Sequence, residues 1–165
     1  MDPERNIRNA AEGNKLMEEG KTITVPLKLI ADAVEQADEN WNQYLDIEKM
    51  EVISLPGEDS ICGIEEEDQE MYDLIEEGWR VRYFGLPSKF DIHEYSIMER
   101  FIWSLPEGRI QDALESAIRG RGAFRRFKDS IIHYGIEKDW YEYLEEAHKK
   151  IAREWCEIHH FEYTE

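Results

Sequence analysis

Five positively charged side chains lie within ten residues in the second half of this sequence, with no acidic residue among them. Arginine donates paired, planar hydrogen bonds that suit phosphate and carboxylate groups. Two glycines in the same segment would bring backbone N–H groups to the start of the helix predicted from Ala123, where the helix dipole favours an anion. The sequence therefore predicts a candidate anion-binding site, formed by Arg119, Arg121, Gly122, Arg125, Arg126 and Lys128.

Two interpretations of this basic segment, residues 119–128, remain open. The segment could bind a nucleotide, a nucleic acid or another anion. Alternatively, its arginines could pair with the protein's own carboxylates and hold a junction between two helices, and such ion-pair networks are commoner than phosphate sites. The motif Gly120-Arg121-Gly122 is neither a P-loop nor a dinucleotide fingerprint, because it lacks the later glycine and joins two predicted helices.

The opposite charge is concentrated in residues 58–77, which hold ten acids and no base, in a chain whose formal net charge is −18. A chain this acidic attracts basic partners or cations and repels nucleic acid and anionic membranes. Residues 65–70 show neither the alternation nor the glycine of a calcium-binding EF-hand loop. We therefore predict a solvated acidic loop here and no metal site.

The last predicted helix carries the other candidate metal ligands. It holds two Glu-x-x-His pairs, Glu145 with His148 and Glu157 with His160. The pairs are twelve residues apart, about 18 Å along a helix, so they cannot share one di-iron centre. Cys156 with His159 or His160 offers only two ligands for zinc. No nucleophile motif occurs either, and we predict no catalytic residue, no metal and no cofactor.

The elements that must position these residues change in type along the chain. A helix is predicted after Pro26, and strands are predicted over residues 41–47, 52–55 and 80–86, the first two as a hairpin around the turn at 48–51. A short helix around 71–75 ends at Gly78, and every element after Asp91 is predicted to be helical. Strands first and helices later indicate an α+β fold, with a small early β-hairpin or three-stranded sheet packed against a helical C-terminal half.

Domain boundaries and compartment follow from composition. We predict a loosely attached N-terminal arm over residues 1–21 and a single α+β domain over 22–165. No apolar run is long enough to cross a bilayer, and the first twenty residues lack the apolar core of a signal peptide. The two cysteines, Cys62 and Cys156, are far apart in sequence, which favours reduced thiols and a cytoplasmic location.

The basic segment and its surroundings also carry a family resemblance. The run Ala117-Ile118-Arg119-Gly120-Arg121-Gly122-Ala123-Phe124-Arg125-Arg126-Phe127-Lys128-Asp129 is followed by Trp140, Ala152 and Trp155, and preceded by Tyr44-Leu45-Asp46 and Leu86-Pro87. Together these residues resemble the bacterial uncharacterised protein family UPF0158, over Val25 to Phe161. The resemblance implies a common domain and no particular activity. This chain has Lys49-Met50 where the family pattern leads us to expect a Thr-Gly turn.

We therefore expect a non-catalytic, acidic binding or regulatory module whose partner is a basic protein. One alternative is a nucleotide, nucleic-acid or other anion binder that uses Gly120–Lys128. Another is a mimic of nucleic acid that occupies the site of a protein that binds DNA or RNA. Binding to nucleic acid or to a membrane is not expected from a chain of this charge. The sequence leaves the partner's identity and the oligomeric state open.

Overall fold

The computed structural model describes residues 22–58, 60 and 63–165, which form two compact units. Unit 1 comprises the described residues up to Ile92 together with Lys149–Glu165, and unit 2 comprises His93–His148. The predicted N-terminal arm and Cys62 lie outside the described residues.

The elements alternate between short strands and helices in the first half of the chain. In order they are β1 (Thr24–Pro26), α1 (Leu27–Glu35), β2 (Trp41–Asp46), β3 (Glu51–Pro56), α2 (Glu66–Glu77), β4 (Tyr83–Gly85), α3 (Lys89–Ile92), α4 (Glu94–Ser104), α5 (Arg109–Ala117), α6 (Ala123–His133), α7 (Glu137–Ile158) and β5 (Glu162–Thr164).

Unit 1 contains a three-stranded antiparallel sheet in the order β3-β2-β4, in which Tyr44 lies opposite both Ile53 and Gly85. The predicted α+β class and three-stranded sheet are therefore confirmed. A second, parallel pair joins β1 to β5, with Val25 opposite Tyr163. The sequence did not predict this pair, because three-residue strands show no periodicity and the two partners lie at opposite ends of the described chain.

Both faces of the three-stranded sheet are covered within unit 1, because side chains alternate between the faces along each strand. On one face, Leu45 and Phe84 pack in one apolar cluster with Ile30 of α1 and Trp155 of α7. The indole N–H of Trp155 also donates a 2.9 Å hydrogen bond to the carbonyl of Gly85. The other face packs against α2, where Ile75 is buried in a second apolar cluster.

The hairpin turn between β2 and β3 is held by a buried carboxylate and not by glycine. Asp46 is 2 % exposed, and its Oδ1 accepts the backbone N–H groups of Glu48 and Lys49, at 3.0 and 3.3 Å. Arg82 donates to both oxygens of the same carboxylate, at 3.1 and 3.0 Å. Met50 takes the left-handed conformation, with φ of 53°, that a glycine would adopt easily. Asp46 thus explains how the hairpin forms without the expected Thr-Gly turn.

Several predicted boundaries are wrong. The third strand begins at Tyr83 and not at residue 80, because the N–H groups of Val81, Arg82 and Tyr83 all bond the carbonyl of Gly78 and form a turn. The helix predicted around 71–75 begins at Glu66. The chain after Asp91 is not entirely helical, because β5 follows the last helix. The four helices α4 to α7 form where the repeat of apolar residues predicted helices.

Unit 2 consists of α4, α5, α6 and the first half of α7. Its centre is an aromatic cluster in which the ring of Phe127 lies 6.2 Å from Phe101 and 4.7 Å from Trp140, both edge to face. The side-chain amide of Gln111 donates to the carbonyls of Ile102 and Leu105, and so satisfies acceptors at the end of α4. These contacts set the positions of α5 and α6, which flank the basic segment.

A bilayer-crossing helix is not found in the part of the chain that the structure describes, where no helix is both long and apolar enough.

Candidate functional site

The basic segment comprises the loop after α5 and the first six residues of α6. Gly120 and Gly122 in this loop both take the left-handed conformation, with φ of 73° and 76°. Gly122 also precedes the first residue of α6, and its carbonyl accepts the N–H of Arg126 at 3.0 Å. A Cβ added at Gly122 would lie 3.0 Å from Nη1 of Arg126. Glycine is therefore required at position 122 by conformation and by the closeness of Arg126.

Arg126 binds the protein's own backbone. Its Nε donates to the carbonyl of Ala117 at 2.9 Å, and its two Nη atoms donate to the carbonyls of Arg121 and Arg119. Ala117 ends α5, where carbonyl groups have no partner within the helix and the helix dipole is negative. Arg126 therefore holds the junction between α5 and α6 through carbonyl oxygens, and not through the carboxylates that the structural interpretation named.

The other bases of the segment are in a different environment. The side chains of Arg119, Arg121, Arg125 and Lys128 are exposed. Across the described residues, no carboxylate lies within ion-pair distance of these four side chains. The structure therefore separates Arg126, whose donors are occupied, from four bases whose donors face solvent.

Two exposed apolar side chains accompany these bases on α6. Phe124 is 46 % exposed and Ile132 is 58 % exposed. The helical spacing of Phe124, Phe127 and Ile131 indicates one buried face, but only Phe127 and Ile131 are buried. Residues three and four apart are neighbours on a helix surface, so Phe124 and Ile132 both adjoin Lys128. We call Phe124, Arg125, Lys128 and Ile132 the basic face of α6.

The acids of the 58–77 segment lie mainly on a helix, so the prediction of a solvated loop over residues 65–70 is wrong from Glu66 onward. The carboxylate of Asp68 accepts the N–H of Glu65 at 3.1 Å and caps the start of α2. Three acids in the first turn are favoured there by the helix dipole. This local stabilisation explains why such an acidic sequence forms a helix.

α2 presents a solvent-facing surface of acids around one exposed leucine. Glu66, Glu67 and Glu70 are exposed, and Leu74 among them is 51 % exposed. Within the described ranges, no lysine or arginine lies within ion-pair distance of these three glutamates. We call these four residues the acidic face of α2. In the sequence, the position of Leu74 on the acidic side of the helical repeat is the signal that could have revealed this face.

Charge is divided unequally between the two units. Unit 2 holds eight bases against eleven acids, and its formal charge is −3. The rest of the chain therefore carries −15 of the total of −18. The acidic face of α2 belongs to the strongly negative part, and the basic face of α6 belongs to the nearly neutral part.

Of the residues that could have suggested zinc, Cys156 lies in an apolar cluster and His159 lies against aromatic rings, whereas His160 is exposed. Burial, with a smaller effect of Glu157, raises the pKa of the Cys156 thiol to about 11, so the thiol is a poor nucleophile. Burial, and then the charges of Arg80 and His160, lower the pKa of His159. The His159 ring lies 4.7 Å from that of Trp155. Among the described side chains, no three metal-ligating groups converge.

One cleft in unit 1, of about 170 Å³, lies where the first residues of β2 meet the segment that follows β4. Trp41, which is 46 % exposed, and Lys89 are among its lining residues. Its volume is below the range of about 300–1,000 Å³ that is usual for small-molecule sites. Tyr44 also lines it, and burial and the neighbouring Tyr72 raise the pKa of that phenol to about 12, so it stays protonated.

The comparisons with known proteins agree with the resemblance carried by the basic segment. A search of curated proteins and a search of solved structures each found no match. A family model, described as an uncharacterised protein family, matches residues 21–165. That range includes the hairpin, the acidic helix and the basic segment, and the chain therefore belongs to the uncharacterised protein family UPF0158.

Proposed function

We propose that this protein is a non-catalytic binding or regulatory module of the cytoplasm, which recruits a basic partner protein through the acidic face of α2. The observation that carries the proposal is the exposure of Leu74 among glutamates that have no cation partner in the described residues. An apolar contact provides affinity, and surrounding charges select the partner and speed its approach. The cytoplasmic location is proposed because Cys156 is a free, buried thiol, and thiols stay reduced in that compartment.

Acidic residues on a folded helix differ from a charged tail in a way that favours recognition. The helix is tied to the sheet through the buried Ile75 and through Tyr72, whose hydroxyl donates to the carbonyl of Pro56 at 2.8 Å. The carboxylates of its outer face are therefore held in a defined pattern before any partner arrives. Such preorganisation lowers the entropy cost of binding.

We expect that changing Glu66, Glu67 and Glu70 together to glutamine reduces capture of basic proteins from bacterial lysate. The effect should be largest at low salt, because charges at an exposed rim act mainly on the association rate. Glu65 and Asp68 are left unchanged, because Asp68 caps the helix. The matched control changes three exposed acids elsewhere in unit 1, Glu35, Glu154 and Glu157, to glutamine.

The measurement compares the bound proteins of the wild type and both variants at low and high salt, with melting temperature as the test of folding. An identical set of bound proteins for all three would mean that α2 recruits nothing. If the captured partner binds nucleic acid and is displaced by it, the protein is a nucleic-acid mimic. That result would narrow the proposed function without contradicting it.

A second candidate function, an anion or nucleotide binder, is favoured by one observation. Arg119, Arg121 and Arg125 are exposed and unpaired within the described residues, next to the start of α6. Guanidinium groups and the N–H groups of a helix start both suit phosphate. The charge of the whole chain opposes long-range attraction of a polyanion, so a small anion is the better candidate ligand.

If this second function is correct, inorganic phosphate should raise the melting temperature. The stabilisation should be about 1.4 kcal/mol at ten times the Kd, because only the folded protein binds. Changing Arg121 and Arg125 to glutamine should remove the shift, and changing the exposed Arg109 and Lys138 instead should preserve it. Equal shifts in both variants would show that phosphate acts only through ionic strength. Salt-sensitive retention of nucleic acid that depends on Arg121 would instead identify a polynucleotide ligand.

A further inference from the structure

The acidic face of α2 and the basic face of α6 match each other residue by residue. On α2, Glu67, Glu70 and Leu74 follow one another at spacings of three and four residues. On α6, Arg125, Lys128 and Ile132 follow at the same two spacings. The first two positions are acidic on α2 and basic on α6, and the third position is aliphatic on both helices. Each pattern spans about 10 Å along its helix.

All six side chains of this match are exposed, and α2 and α6 have nearly equal lengths of twelve and eleven residues. Two such helices lying side by side and parallel would place Glu67 near Arg125, Glu70 near Lys128 and Leu74 against Ile132. Phe124, 46 % exposed at the edge of the basic face, would extend the apolar contact. Asp129 is the acid nearest in sequence to Lys128. Around the helix it lies beyond Arg125, outside the basic face of α6.

We propose that the occupant of the basic face of α6 is the acidic face of α2 from a second copy of this chain. This inference rests on the proposed function, because it names the basic face of α6 in a second copy as the basic partner of α2. The complementarity of charge and of the exposed aliphatic residues carries the argument. A contact in which different surfaces meet forms a symmetric dimer with two such contacts, a closed ring or an open chain of copies.

The net charge of the whole chain does not exclude this contact. Two copies that carry −18 each repel one another at long range, but at physiological salt this repulsion is screened beyond about 8 Å. The contact also brings α2 to unit 2, whose formal charge is only −3. Salt screens both the attraction within the contact and the repulsion outside it, so charge-reversed variants test the inference better than a salt series does.

We expect sedimentation velocity of the full chain to show reversible association that increases with protein concentration. Changing Arg125 and Lys128 to glutamate should weaken this association about tenfold or more, since two attractive pairs become repulsive. Changing Glu67 and Glu70 to lysine should do the same. The decisive sample is a mixture of the two variants, in which one copy keeps an intact α2 and the other an intact α6. That mixture should form a one-to-one dimer.

Controls separate this contact from a general effect of charge. Arg109 and Lys138 changed to glutamate alter the charge of unit 2 equally, and they should leave association unchanged. Melting temperature and circular dichroism identify any variant that does not fold. In that event, the glutamine versions of the same positions replace the reversed ones.

The inference is overturned if the wild-type chain stays monomeric at every concentration, or if the mixed variants stay apart. It is also overturned if neither charge-reversed variant, that of α6 or that of α2, changes the association. Capture of other basic proteins that still depends on α2 would, in any of these cases, leave the proposed function standing. If neither self-association nor capture depends on α2, both proposals fail.

Discussion

Replacing Asp46 by alanine should lower the free energy of unfolding by about 2–4 kcal/mol. The carboxylate is 2 % exposed and accepts hydrogen bonds from the hairpin turn and from Arg82, which lies in the turn before β4. Its removal takes away the buried partner of the guanidinium, which keeps only its 3.0 Å ion pair with the exposed Glu48. It also frees the turn that Met50 closes in a left-handed conformation. Chemical denaturation measures the loss.

Asp38 provides the control for this change. Its carboxylate also accepts a backbone N–H in a turn, that of Asn40 at 2.8 Å, but it is exposed and has no arginine partner among the described residues. Asp38 to alanine should therefore cost no more than about 1 kcal/mol. Equal losses at the two positions would show that the pair with Arg82 contributes nothing beyond the turn.

The same carboxylate gives stability a pH dependence with a defined sign. Burial alone raises the pKa of Asp46, but hydrogen bonds from Arg82, Lys49 and Glu48 and the charge of Arg82 outweigh it, so the pKa is lowered. The ionised form therefore stabilises the fold. Its contribution is complete above the ordinary pKa of about 3.9 and disappears as pH falls through the lowered value.

Comparison with Asp46 changed to asparagine, which does not titrate, isolates this effect. The difference in unfolding free energy between wild type and variant should be constant near neutral pH and should narrow below about pH 4. Denaturant titrations at successive pH values measure it. A difference that persists unchanged through acid would mean that the charge of Asp46 does not contribute to stability.

Replacing Arg126 by alanine should destabilise the protein by about 1–2 kcal/mol, while the same change at its neighbour Arg125 should fall within about 0.5 kcal/mol of zero. Arg126 donates to three carbonyls at the end of α5 and in the following loop. Arg125 is exposed and makes no ion pair in the described part of the chain. The two substitutions remove identical side chains from adjacent positions.

Lysine at position 126 tests the geometry of this cap. One ammonium group cannot reach three separated carbonyls as a planar guanidinium does, so the lysine variant should recover only part of the lost stability. Full recovery would show that charge near the end of α5 is sufficient. Similar losses at 125 and 126 would contradict the separation of the basic segment into a structural arginine and exposed bases.

Local patterns were enough to predict much of this protein. Alternation identified β2 and β3, and the repeat of apolar residues identified α4 to α7, because each pattern depends on neighbours a few residues away. The burial of Trp140 and Trp155 follows from the same repeat, although Ile158 at its end is 73 % exposed. Composition located the acidic and basic segments and therefore both candidate surfaces.

Tertiary structure decided which of those residues are available to a partner. Arg125 and Arg126 are the same residue type, but one step along a helix turns a side chain by about 100°, and only Arg126 reaches the carbonyl at the end of α5. That meeting depends on the left-handed turns at Gly120 and Gly122, which bring α6 back beside the end of α5. The exposure of Phe124 and Leu74 and the pairing of β1 with β5 likewise depend on segments distant in sequence, whose approach no local pattern encodes.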